Sequence, residues 1–350
     1  MQWSLRSGRH DAYGKLKPDE VSDARLGEAM RVTAHHAVAE ALGRLDDRAL
    51  AVVLDGATSL GAGIGGSSAV LDVEGVRVFV KKVPVTDLEL EHPRSTANLF
   101  GLPTFYQYGV GSAGFGAWRE LAAHEMTTEW VLGGEHGGFP LLHHWRVLPG
   151  SSPAVDDLER TIAYWGGSDG VRARLEALRR ASAQLVLFLE FVPQTVHEWL
   201  LEQRSGEAVD FVHRELRAGV EFLGSKGVLH FDAHFDNLLT DGERLYFADF
   251  GLAISSRFAL SPAEAEFFAA HHNYDRCYTV THLLGWVGRN LDPLPEAAAA
   301  LVRRYRPVAD VVTPYYEQLA RAGRHTRYPT AELDLAWELP DAAGAGKVGR

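Results

Sequence analysis

Apolar residues recur in two rhythms along the chain. From Asp23 to about Leu54 they fall at Leu26, Met30, Ala34, Val38, Ala41, Leu42 and Leu45, a helical spacing that predicts an N-terminal helical extension. The rhythm then changes. Val70, Leu71 and Val73 mark a strand, Glu74-Gly75 a turn, and Val76, Val78 and Val80 a second, alternating strand. Ala117 to Leu132 predicts a helix stopped by Gly133-Gly134. AQLVLFLEFV, ending at Val192, reads as a buried strand that runs into the short amphipathic helix TVHEWLLEQ. A longer helix follows, spaced by Phe211, Leu216, Val220 and Leu223, and from Ser261 onward the pattern is helical. A strand-rich front and a helix-rich back predict an α+β protein of two unequal lobes with a cleft between them.

Residues 83–116 break both rhythms. They hold Pro84, Pro93, Pro103 and the tract YGVGSAGFG, with Phe100, Phe105, Tyr106 and Tyr108 between. This predicts a long irregular insertion. It is either a functional or mobile loop, or an Ω-type loop packed by its own aromatics.

Composition narrows the class. The 350 residues are 46% hydrophobic, enough for a sizeable core. A formal net charge of −11 argues against nucleic-acid or anionic-membrane binding, which needs basic surface. The single cysteine, Cys277, leaves no internal disulfide and fits a reducing cytoplasm. The stretch MQWSLRSGRHDAYGK has no apolar core for a signal peptide, and no run approaches a membrane span. The expectation is a soluble cytoplasmic protein.

The chemistry concentrates in HFDAHFDN and ADFG, residues 230–237 and 248–251. Asp232 can take a proton from an attacking hydroxyl, and Asn237 and Asp249 are hard oxygen ligands of the kind Mg²⁺ needs. Upstream, Gly61, Gly63 and Gly66 form G-x-G-x-x-G. The stretch leads into a strand rather than a helix, so a phosphate-covering hairpin is expected in place of a dinucleotide-binding turn. Lys81 ends V-F-V-K fifteen residues after Gly66 and can meet phosphates if a carboxylate positions it. Lys82 points to the opposite face by strand alternation. The partner carboxylate belongs on the helix from Ala117. Glu120 and Glu125 both qualify, and Glu125 is preferred because it falls on the face of Trp118, Leu121 and Ala122. The backbone of Glu190 and Val192, at the end of the buried strand, can face an adenine edge. His230 and His234 lack the third ligand a zinc site needs.

These strings together resemble the protein-kinase-like superfamily, over roughly Leu54 to at least Trp286. The glycine stretch is similar to the family's phosphate cover, Lys81 to its strand lysine, and Leu189–Val192 to its hinge. His230-x-Asp232 with Asn237 is similar to its catalytic loop, and Asp249-Phe250-Gly251 to its metal-binding triplet. Tyr274-Asp275-Arg276-Cys277-Tyr278 looks like the start of the long helix whose aspartate braces the catalytic loop. Five features depart from the pattern: Ser68 stands where an apolar residue is usual after the third glycine, only 26 residues separate Asp249 from Asp275, a short segment for a peptide-docking platform, and three more lie in or after the catalytic stretch. Phe231 replaces the arginine before the catalytic aspartate, which argues against control by a phosphorylated activation loop. His234 stands where a lysine is usual, as in small-molecule kinases acting on aminoglycosides or choline. No clear A-P-E follows; Ser261-Pro262-Ala263-Glu264 is a remnant at best.

The resemblance implies a bilobal protein-kinase-like fold. An N-terminal helical extension covers 1–46. An antiparallel-sheet N-lobe covers 47–192, with the 83–116 insertion and a hinge at its end. A mainly helical C-lobe covers 193–350. It implies ATP and Mg²⁺ as cofactors. Lys81, Gly61, Gly63, Gly66, Glu190 and Val192 would bind nucleotide, Asn237 and Asp249 the metal. Asp232 would act as base, with His234 donating to the moving phosphoryl group. The expected acceptor is a hydroxyl, with Ser/Thr of a protein or peptide (a ribosomally made peptide included) set ahead of an antibiotic or metabolite. A nucleotide-binding regulatory protein without turnover is the alternative from another class. It would not need Lys81, Asp232, Asn237 and Asp249 together.

Overall fold

The computed structural model describes residues 24–63, 66–109, 111–151, 157–322 and 326–339. Residues 1–23 of the expected N-terminal extension and 340–350 of the expected C-terminal portion lie outside it. The helical rhythm after Asp23 resolves into two helices, α1 (Ala24–Gly43) and α2 (Asp47–Asp55), rather than one continuous run. The break is made by Asp46, whose side chain accepts from the Ala49 N–H at 2.8 Å and starts a new helix.

A five-stranded antiparallel sheet follows, built from β1 (Thr58–Gly63), β2 (Gly66–Val73), β3 (Val76–Val85), β4 (Leu142–Pro149) and β5 (Ala183–Glu190). The strands lie in the order β1-β2-β3-β5-β4. Glu74 and Gly75 join β2 to β3 with φ of 52° and 76°, a left-handed pair whose twist suits a two-residue hairpin. Alternation sorts the sheet's residues. Val78 and Val80 pack with Ala69, Leu71, Val186 and Phe188 beneath α1 and α2. Phe79, Val83 and Val85 pack on the other face with Trp118 and Leu121 of α4 (Ala117–Leu132). Lys81 shares the parity of that second face and Lys82 that of the first.

The insertion expected at 83–116 is shorter and more ordered than its prolines imply. Residues 83–85 complete β3, and α3 (Asp87–Glu91) is started by a reciprocal Thr86–Glu89 capping box. Its aromatics do not make a self-contained Ω-loop. Phe100, Phe105, Tyr106 and Phe115 pack against α5 (Leu158–Tyr164) and α6 (Asp169–Arg180), which connect β4 to β5 around buried Trp165.

Beyond β5 the chain is mostly helical. Two short strand groups interrupt it: β6 (Gln194–Thr195) pairs with β8 (Leu238–Thr240) and β8 with β9 (Leu245–Phe247), while β7 (Val228–Leu229) pairs with β10 (Ile254–Ser255). Between and after them come α7 (Val196–Gln203), α8 (Gly206–Ser225), α9 (Pro262–Ala270), α10 (Tyr274–Asn290), α11 (Glu296–Ala322) and α12 (Thr330–Glu338). Their apolar faces form the largest core, around Leu216, Leu223, Phe247, Val280 and Trp286. Ser261 and Glu264 form the capping box that starts α9. No helix among the described residues is long and apolar enough to cross a membrane.

The tip of the first hairpin depends on glycine. Gly66 has φ of 123°, and a Cβ there would lie 2.0 Å from the Lys82 carbonyl oxygen. Gly75 is also left-handed but has open space around it. Gly66→Ala is therefore expected to cost roughly 2–4 kcal/mol in urea unfolding, against about 1 kcal/mol for Gly75→Ala. Equal losses would contradict the close approach.

Candidate active site

Strand β3 delivers Lys81 to the α4 face of the sheet, where its ammonium is shared by two carboxylates. Its Nζ lies 2.5 Å from Glu120 Oε1 and 2.8 Å from Asp249 Oδ1. Lys81 and Glu120 are buried, and Asp249 is partly exposed. Burial alone would lower the lysine pKa, but Asp249 and then Glu120 outweigh it and the ammonium is held protonated. Burial and the neighbouring Asp249 push the Glu120 carboxyl up, and Lys81 pulls it back.

Glu125, preferred on helical spacing, is not the partner of Lys81. It faces outward and takes both arms of Arg94, at 3.1 and 2.7 Å. Helical spacing singles out one face only when the others are exposed, whereas α4 is buried around most of its circumference: Arg119, Glu120, His124, Thr127 and Thr128 are all enclosed. Arg119 survives there because it meets Glu264 at 2.7 Å.

The segment from His230 to Asn237 links β7 to β8 and is held from below. Asp275, in the first turn of α10, accepts the N–H groups of His230 at 2.6 Å and Phe231 at 3.0 Å. Phe231 adopts a φ of 64°, uncommon for a bulky residue, and these two bonds hold it there. Its ring stacks on Tyr274 with centroids 4.2 Å apart. Burial raises the Asp275 carboxyl to about 6.

Asn237 fixes Asp232. Its amide Nδ2 donates to both the Asp232 carbonyl and Oδ2, each at 3.0 Å. Burial raises the Asp232 carboxyl to about 6, with Asp249 adding to the rise and His234 opposing it. The Asp236 N–H donates to His234 Nδ1 at 3.2 Å, so in the neutral ring the proton sits on Nε2. That nitrogen lies 3.8 Å from Asp232 Oδ1, near but beyond a direct hydrogen bond. His230 donates its own Nε2 proton to the Ala248 carbonyl at 2.9 Å and is used up structurally.

Asp249 begins the turn after β9 with φ of 62°, and Phe250 drops into the core behind it. The Phe250 ring sits between His230, at 5.0 Å, and His124 of α4, at 5.2 Å. Burial and then Lys81 lower the His124 imidazole to about 3, so it is neutral. Neither of its nitrogens has a hydrogen-bond partner among the described residues. His124 belongs to no motif in the sequence; its signal is the spacing of four from Glu120, which puts both on one helix face.

Two cavities meet at Lys81 and Asp249. The first is walled by Phe79, Leu189, Val192 and Leu239 and also touches His124 and Asn237. The second contains Asp232 and His234. Gly61 and Gly66 line neither; Gly63 and Gly66 pair across the hairpin tip, and Gly61 sits at its bulge. Glu190 borders the first cavity, but its N–H is committed to the Leu141 carbonyl at 2.8 Å. Its carboxylate receives Arg31 of α1 through two 2.7 Å bonds. Arg31 also donates to the carbonyls of Gly137 and Phe139, so α1 is fastened to the end of β5. No group of three or more His, Cys, Asp and Glu residues forms a metal cluster among the described residues. Asn237 and Asp249 do share a wall of the first cavity.

Asp275→Ala leaves two buried N–H groups unpaired and is expected to cost roughly 2–5 kcal/mol in urea unfolding, with Asp275→Asn intermediate. Wild-type stability in both would contradict the bracing role. Searches with the whole sequence found no matching protein-family model and no matching curated protein.

Proposed function

We propose that the chain is an ATP- and Mg²⁺-dependent phosphotransferase that moves the γ-phosphoryl group to a hydroxyl acceptor. One observation carries the proposal: Lys81, Glu120 and Asp249 meet at the junction of two cavities, beside the Asn237–Asp232 pair. In this account the five-stranded sheet with α4 is one lobe and residues 193–339 are the other. The nucleotide base enters the first cavity between Phe79, Val192 and Leu239, which at about 30 Å³ has to widen to admit it, and the phosphates lie toward Lys81 where the two cavities join. Since the Glu190 N–H is engaged, the Val192 backbone is the better candidate for the adenine edge.

The charge balance supports a cation here. Lys81 offsets only one of the two carboxylates it touches, and Asp232 adds a third nearby. The Asn237 amide nitrogen is occupied by Asp232, which leaves its carbonyl oxygen as the hard donor beside Asp249. One carboxylate and one amide oxygen make a sparse set, which suits Mg²⁺ because that ion takes its remaining ligands from water and phosphate. When bound, Mg²⁺ supplies charge neutralisation across the phosphates.

Asp232 orients the acceptor hydroxyl and takes its proton as the new P–O bond forms. The His234 Nε2–H is placed to steady charge on the transferring group. Positioning and electrostatics do most of the work. The four retained polar groups argue for turnover rather than for a silent nucleotide-binding protein.

Asp249→Asn is expected to abolish measurable transfer of ³²P from γ-labelled ATP, and Asp232→Asn to lower it by about 10²–10⁴-fold. Full transfer by Asp249→Asn would overturn the assignment. The base must be ionised to act, so kcat/KM is expected to fall about tenfold per pH unit below about 6, the range to which burial lifts Asp232. A flat profile between pH 5 and 7 would remove Asp232 from that role.

A further inference from the structure

The second cavity has a roof. Gly109 and residues 111–114 and 116 lie across it, above Asp232, His234 and Gly251. The approach is closest at two glycines, of which Gly114, with φ of 68° against backbone, cannot carry a side chain without strain. A Cβ on Gly109 would stand 2.6 Å from Asp232 Oδ1, and one on Gly114 would stand 2.5 Å from the Gly251 carbonyl oxygen. The roof thus rests on the base and on the turn that carries Asp249.

It is also tied down. The Gln107 side-chain amide donates to the Leu252 carbonyl, and the Tyr106 hydroxyl accepts from the Ala113 N–H at 3.1 Å. Arg174 of α6 donates from Nε to the Gly114 carbonyl at 2.8 Å. Its guanidinium is buried against Glu89 of α3 at 3.4 Å, and Glu89 in turn accepts the Ala117 N–H at 2.8 Å. The chain segments before α4 and between β4 and β5 therefore act together: α6 pins the roof, and α3 pins α6 to the start of α4.

The floor is aromatic. Tyr274 and Tyr278 stack with centroids 5.7 Å apart and planes 8° apart, and Tyr316 joins them through its hydroxyl on Tyr274. All three border the cavity, whose volume is about 320 Å³. That lies at the small end of ligand sites, roughly 300–1,000 Å³. An extended peptide advances about 3.3 Å per residue and projects side chains to both sides, so it needs an open trough beyond the reacting serine. The glycine segment on one side and the tyrosines on the other leave a chamber of about 320 Å³, room for one ring-sized group rather than a length of extended chain.

We propose that this chamber is the acceptor site and that it takes a compact, ring-bearing alcohol rather than a Ser/Thr peptide. The inference rests on the phosphotransfer reading and reverses the preference for peptide drawn from sequence. The acceptor oxygen forms a bond to the γ-phosphorus, the bond from that phosphorus to the bridging oxygen of ADP breaks, and the hydroxyl proton passes to Asp232. The ring lies among Tyr274, Tyr278 and Tyr316. Gly109 determines specificity by leaving the Oδ1 side of Asp232 open to the incoming hydroxyl.

The test compares two acceptor sets with MgATP: ring-bearing alcohols (nucleosides, pyranosides and aryl-substituted ethanols) and Ser/Thr dodecapeptides with randomised flanks. Phosphorylated product is identified by mass spectrometry. The expected result is transfer to members of the first set and none to the second. Transfer to peptides at equal or greater kcat/KM, or to neither set above the acceptor-free rate, overturns the proposal. Two variants sharpen it. Gly109→Ala is expected to lower kcat with the preferred alcohol by about 10²-fold, since displacement of about 1 Å at a reacting group costs that much. Ser112→Trp, which fills the chamber, is expected to raise the alcohol KM at least tenfold. Both should bind MgATP with a Kd within twofold of wild type, which also reports that each variant is folded. Unchanged acceptor kinetics in both variants would overturn the chamber. Failure of the wild-type chain to bind MgATP would instead remove the phosphotransfer reading itself.

Discussion

A buried ammonium between two carboxylates holds the site together. Lys81 comes from a strand, Glu120 from a helix and Asp249 from a turn after β9, and each alone would be costly to enclose. Their mutual attraction offsets that cost only in one geometry, so the triad sets how α4 and the Asp249 turn stand against the sheet. It also leaves surplus negative charge at the point where the two cavities join. That surplus favours a cation there, because the carboxylates without a counter-charge repel one another.

The surroundings restrict movement of these groups. Asp275 holds the strained backbone at Phe231, Asn237 holds the Asp232 carboxylate through Oδ2, and Gly109 leaves no room for a side chain beside Oδ1. Phe250 is wedged between His124 and His230, which ties the Asp249 turn to the helix that carries Glu120. Arg31 adds a constraint from α1. It grips the end of β5 through Glu190 and lies over Tyr246 of β9 at 5.2 Å, so one side chain bridges the sheet and the helical portion.

The features legible in the sequence are those whose geometry is local. The turn at Glu74-Gly75, the parity of Lys81 against Lys82, and the short reach from Asp232 to Asn237 each depend on a few consecutive residues. Partner choice across the chain was not legible. Glu120 and Glu125 differ by five positions, and helical spacing cannot separate them when α4 is enclosed on most sides. Arg31 finds Glu190 from 159 residues away, with nothing in either neighbourhood to announce it. The roof was hidden for a related reason. Its prolines and glycines marked an irregular segment, but the helices that pin it, α5 and α6, lie beyond β4 and were not assigned. An Asp46 cap likewise divided a helical run that spacing alone made continuous.

The most direct measurement is a crystal structure of the chain with Mg²⁺ and a non-hydrolysable ATP analogue. The account predicts the base between Phe79 and Leu239, phosphates beside Lys81, and a metal about 2.0–2.1 Å from oxygens of Asn237 and Asp249. An analogue bound elsewhere, or a fully occupied first cavity with no metal between Asn237 and Asp249, would contradict it.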